Sequence, residues 1–141
     1  MLRILLAEDN DLVRDSLKLL LEYEHDIEIV GDAADGQEAL DMLQQIEADI
    51  LVTDLNMPKV DGFQLIEELR RRNPSIQILV YSALNSTAYV AKAFRIGASA
   101  YLTKDSSADE LIYALRHVSQ KKKYLSSDLS LSIFEKHHQF D

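Results

Sequence analysis

Cysteine is absent from the 141 residues, which removes disulfides, thiolate catalysis and cysteine-ligated zinc and fits a reducing compartment. Proline occurs only twice and glycine four times, so each is a local signal. No run approaches the roughly 20 apolar residues that a membrane span needs. The start also lacks a secretory leader: Met1 runs through Arg3-Ile-Leu-Leu-Ala7 straight into Glu8-Asp9, with no basic segment, long apolar segment and cleavage site. A cytoplasmic location without membrane contact is the expectation. Positive charge is scarce, with 15 Lys and Arg against 24 Asp and Glu and a net charge of −9. That sign is wrong for a chain whose main partner is a nucleic-acid backbone. DNA would need another segment.

What is present is a single domain's worth of chain. Five short runs rich in Ile, Leu and Val, at Arg3 to Ala7, Ile27 to Asp32, Asp49 to Thr53, Ile76 to Tyr81 and Ser99 to Thr103, alternate with helix-period segments. The runs are nearly continuous rather than alternating, which calls for burial on both faces and hence helices on both sides of a parallel sheet. Asn10, Asp35, Asp61 and Ser107 stand where helix caps are needed, the last three followed at capping-box distance by Glu38, Gln64 and Glu110. Gly97 reads as the left-handed stop of a fourth helix, and Pro74 follows the third. The right-handed crossover rule then gives an α/β, flavodoxin-like, doubly wound (βα)5 sandwich with a five-stranded parallel sheet in order 2-1-3-4-5. Residues 1–120 make this domain. Residues 121–141 read as a linker or tail, with one short helix over Leu129 to Phe134, and its His137-His138 pair is too isolated to be metal ligands.

In open sheets of this kind function collects beyond the carboxyl ends of the strands, beside the point where strand order reverses. There the first strand ends in Glu8-Asp9, the third in Asp54, the fourth in Ser82 and the fifth in Lys104. Three carboxylates on one hollow are costly unless a cation joins them. With oxygen donors only, the cation indicated is a hard one, Mg²⁺ before Ca²⁺ or Mn²⁺, with Mn²⁺ as a substitute. A carboxylate beside it can attack phosphorus, Lys104 offers a point charge and Ser82 a hydroxyl.

The stretches Glu8-Asp9, Thr53-Asp54-Leu55-Asn56-Met57-Pro58 with Asp61-Gly62, Tyr81-Ser82-Ala83 and Tyr101-Leu102-Thr103-Lys104-Asp105 resemble the receiver domain of two-component response regulators. The resemblance covers about the first six-sevenths of the chain. It implies that Asp54 is the phosphoacceptor, that Glu8, Asp9, Asp54 and the Asn56 backbone carbonyl hold Mg²⁺, that Lys104 and Ser82 bind the phosphoryl group, and that Ser82 and Tyr101 form the switch. Glu8 stands where the family more often has Asp, so its longer arm reaches the metal through water while Asp9 ligates directly. Asp105 replaces a frequent proline, so no cis peptide is expected there. The Lys104-Asp105 pair and Tyr124-Leu125-Ser126 resemble the subfamily with a C-terminal LuxR-type helix-turn-helix, a domain absent from this chain. The implied partners are a sensor histidine kinase, a second copy in a homodimer, and DNA only through that absent domain.

Two other classes compete. A stand-alone or phosphorylation-independent interaction module would not need Lys104 and the whole carboxylate set. A Mg²⁺ phosphatase with an aspartyl nucleophile needs an acid two residues beyond it, where this chain has Asn56, and a flavin protein of this fold needs a Ser, Thr and Gly phosphate loop after the first strand.

Overall fold

The structure is a computed structural model that describes residues 1–138; Gln139, Phe140 and Asp141 lie outside the described residues. Five of its strands are β1 (Leu2–Ala7), β2 (Ile27–Ala33), β3 (Ile50–Thr53), β4 (Gln77–Ser82) and β5 (Ala100–Thr103). Between and after them come α1 (Asp11–Glu22), α2 (Gly36–Leu43), α3 (Gly62–Arg72), α4 (Thr87–Ile96) and α5 (Ala108–Ser119). All strand pairs are parallel, and these five take the order 2-1-3-4-5.

The five-stranded expectation is one strand short. A sixth strand, β6 (Tyr124–Leu125), pairs with β5 at the outer edge, so the order is β2-β1-β3-β4-β5-β6. The helix expected over Leu129 to Phe134 is longer, α6 (Ser127–His138). Its anchor is Leu129, buried with Tyr101 and Val90 in one half of the core. Glu110 explains why this segment lies down. Ser107 caps α5 through Glu110 N–H, but the Glu110 carboxylate is turned outward, where it accepts from the Tyr124 hydroxyl at 2.7 Å, Ser127 N–H at 3.0 Å and the Ser127 hydroxyl at 2.6 Å. These bonds hold the Glu110 carboxyl below its usual range against the opposing pull of desolvation. Replacing Leu129 by Ala is expected to cost about 2 kcal/mol, released as local opening of α6. Amide hydrogen exchange should then accelerate roughly 30-fold in 127–138 and stay unchanged in β1 to β4; equal protection of α6 in both proteins would contradict the anchoring role.

The other caps follow their chemistry. Asn10, Asp35 and Asp61 each accept from the backbone three residues on, and Asp61 with Gln64 closes a full capping box. Ser86 caps α4, and Gly97 ends it at φ +125°, where an added Cβ would strike Arg70. The two faces of the sheet are buried separately. Leu5, Leu51, Ile78 and Tyr101 face α2, α3, α4 and α6, while Ile4, Leu6, Val52 and Leu102 face α1 and α5. In α3 Leu65, Ile66 and Leu69 are buried, while Phe63 is half-buried and stacked on Tyr89. The carboxyl ends of β1, β3, β4 and β5 therefore open side by side onto one end of the sheet.

Candidate functional site

At that end Glu8, Asp9, Asn10, Asp54, Asn56, Ser82, Ala83, Leu84 and Lys104 line a hollow of about 410 Å³. It is polar because the apolar run of each strand ends there and the next positions carry acidic, hydroxyl or basic side chains. Glu8, Asp9 and Asp54 each bring a carboxylate oxygen to within 4.8 Å of the others. Asp9 is exposed, whereas Glu8 and Asp54 are buried. Lys104 joins the buried two, its Nζ standing 2.5 Å from Glu8 Oε1 and 2.8 Å from Asp54 Oδ2. The other Asp54 oxygen accepts Leu55 N–H at 2.7 Å and Asn56 N–H at 3.4 Å.

Charge sets the protonation preferences. Burial pushes the Glu8 carboxyl up, outweighing the pull of Lys104 and of Asn10 N–H on its oxygens. Burial works against the Lys104 ammonium, but its bonds to Asp54 and Glu8 carry it above the ordinary lysine value. Two carboxylates and one ammonium leave one negative charge, and exposed Asp9 adds another. Such a hollow attracts a cation. The donors are all oxygen, and six-coordinate Mg²⁺ at 2.0–2.1 Å needs ligand oxygens within roughly 4.2 Å of one another. The three carboxylates already offer oxygens within 4.8 Å of one another, a cluster that suits one small hard cation. The residues fit the ion.

Ser82 and Tyr101 are brought together through Leu84. The Ser82 hydroxyl accepts Leu84 N–H at 3.2 Å, and the Tyr101 hydroxyl donates to the Leu84 carbonyl at 2.6 Å. Tyr101 is the expected switch partner of Ser82. Here its ring is already fully buried, and burial pushes its hydroxyl up to about 12. No cis peptide occurs among the described residues, Lys104-Asp105 included. Two contributors escaped the sequence reading. Leu84 acts through backbone groups, which no side-chain pattern reveals; Arg14 donates to the Glu8 carbonyl at 2.8 Å, and its only signal was a long cation one helical turn past an acidic strand end.

The response regulator receiver domain model matches residues 4–116. The chain belongs to the response regulator receiver family. As a receiver it is similar to the transcriptional regulatory protein DegU of Brevibacillus brevis, 32% identical over 136 residues that cover 96% of this chain and 58% of DegU. The nitrate/nitrite response regulator protein NarL of Escherichia coli (strain K12) is 32% identical over 127 residues, or 90% of this chain and 59% of NarL. This receiver thus spans less than two thirds of the length of those relatives. Among solved structures, a two-component response regulator of the LuxR family from Aurantimonas sp. SI85-9A1 superposes with a TM-score of 0.91 at 31% identity, covering 96% of both chains. The isolated REC domain of RcsB from Salmonella enterica serovar Typhimurium, in the presence of phosphomimetic BeF3−, has a TM-score of 0.85 at 26% identity, covering 92% of this chain and 96% of that one. Receivers are signalling modules rather than turnover enzymes, and they generally bind Mg²⁺. No described helix is long and apolar enough to cross a membrane.

Proposed function

We propose that this receiver accepts a phosphoryl group on Asp54 from the phosphohistidine of a sensor kinase and relays it to a DNA-binding output domain in a longer, cytoplasmic protein. The observation that carries the reading is Lys104 Nζ lying 2.8 Å from Asp54 Oδ2 inside a hollow that two further carboxylates also line. An Asp54 oxygen forms the new O–P bond as the N–P bond of the donor breaks, and the imidazole leaves with its electron pair. Leu55 N–H and Asn56 N–H orient the carboxylate, and Lys104 exchanges its Asp54 contact for a phosphoryl oxygen. Glu8, Asp9, Asp54 and the Asn56 carbonyl would hold Mg²⁺, which when bound supplies charge neutralisation for phosphoryl transfer.

The phosphoryl group, carrying nearly two negative charges, draws the Ser82 hydroxyl and takes it from Leu84 N–H. Leu84 also carries the acceptor of Tyr101, and the Tyr101 carbonyl accepts Ser126 N–H at 3.0 Å beside β6. That line of bonds leads from the phosphate site to the C-terminal segment. Residues 1–120 are the receiver, and 121–141 lead to the output domain. Homodimerisation would set two output domains together; the similar protein RcsB has been solved as dimers bound to DNA.

Acetyl phosphate with Mg²⁺, followed by intact mass, tests the reading. One added phosphoryl group that disappears in EDTA is expected. An unmodified protein would instead favour a phosphorylation-independent interaction module.

A further inference from the structure

We propose that Arg14 is a positioning residue that aims the acidic pair Glu8-Asp9 at the cation, an inference that rests on reading the hollow as a Mg²⁺ site. Arg14 sits in the first turns of α1, yet its side chain is only 14% exposed. It spends its donors on three elements. One amino group donates to the Glu8 carbonyl at the end of β1 at 2.8 Å, the other to Asp11 at the start of α1 at 2.7 Å, and Nε stands 3.3 Å from Asp32 near the end of β2.

The Glu8 carbonyl is one end of the peptide plane whose other end is the Asp9 nitrogen. Turning that plane swings Asp9. The rest of the turn is already fixed, since Glu8 N–H donates to Ala33 O at 3.0 Å and Asn10 N–H to Glu8 Oε2 at 3.1 Å. Arg14 closes the remaining freedom. Asp9 is the exposed member of the three carboxylates, and among the described residues no hydrogen bond or ion pair holds its side chain, so its aim depends on its backbone. A plain ion pair with Asp11 and Asp32 would explain neither the burial nor the bond to a carbonyl. The planar guanidinium fork reaches all three at once; a lysine ammonium, a point donor on a flexible stem, does not.

Charge and position predict opposite signs. Removing a cation beside three carboxylates strengthens Mg²⁺ binding by electrostatics alone, whereas losing the aim of Asp9 weakens it. Calorimetric titration of MgCl₂ into the full chain, at one ionic strength, reads the difference. Arg14→Met should bind Mg²⁺ roughly tenfold more weakly than the parent, the size of effect usual for residues that orient metal ligands. Arg14→Lys, which keeps the charge, should also bind more weakly, and it decides the matter if Arg14→Met does not fold as judged by its urea midpoint. Equal or tighter binding by the folded variant overturns the positioning role. A parent protein that binds no Mg²⁺ overturns the metal site itself.

Discussion

Asp54→Asn is expected to lower acetyl phosphate labelling by about a thousandfold or more, the loss typical of removing a nucleophile, while leaving the fold in place. Asn keeps the Oδ1 acceptor for Leu55 N–H, now at 2.7 Å, so the turn after β3 stays satisfied. Its amide cannot pair with Lys104, which still has Glu8 at 2.5 Å. The buried carboxylate cluster thereby loses one charge, and the urea midpoint should not fall. Intact mass after incubation with acetyl phosphate and Mg²⁺ separates the outcomes. A variant that still gains the phosphoryl group would place the acceptor on another carboxylate of the hollow, Asp9 being the accessible one.

Much of this could be read from the order of residues because the physics is local. A strand buried on both faces has to be apolar throughout, so β1, β3, β4 and β5 stood out as runs. A cap has to carry an oxygen three residues before the N–H it serves, so Asn10, Asp35, Asp61 and Ser107 were visible. The site was visible for a related reason: a charged residue directly after a buried strand has little structural excuse, and four strand ends carried one or a hydroxyl. β6 escaped because two residues between a lysine run and serines make no pattern. In α6 the packed apolar positions Leu129 and Ile133 stand four residues apart, too few turns to show the helix's full length, and what fixes the segment is Glu110 on α5, bonded to Tyr124 and Ser127. The orientation of Tyr101 was equally hidden. Its ring suits either an outer rim or the core, and the choice is made by Leu84, a backbone carbonyl seventeen positions away.

Lys104→Met should cost the fold about 3 kcal/mol at pH 7 in EDTA, the lower end for removing one partner of a buried ion pair, because Lys104 itself remains 23% exposed. The loss comes from what stays behind. Glu8 and Asp54, 3% and 8% exposed at their side chains, would face each other as bare carboxylates. The pH dependence has a definite sign. Glu8 already stands above its ordinary value of 4.5 because burial outweighs its bonds, and without the ammonium it rises further. A carboxyl raised in the folded state binds a proton that the unfolded chain does not, so the variant gains stability as pH falls from 7 toward 4.5. Paired carboxylates elsewhere, such as Asp49 with Arg3, pull the other way only at lower pH, since their shifts lie below the ordinary range. Millimolar Mg²⁺ at pH 7 should restore most of the loss, the cation replacing the missing ammonium. Urea melts at pH 7 and pH 5, each with EDTA and with Mg²⁺, give the four values needed. A deficit that ignores both pH and Mg²⁺ would mean that Lys104 holds the fold by its packed stem rather than by its charge.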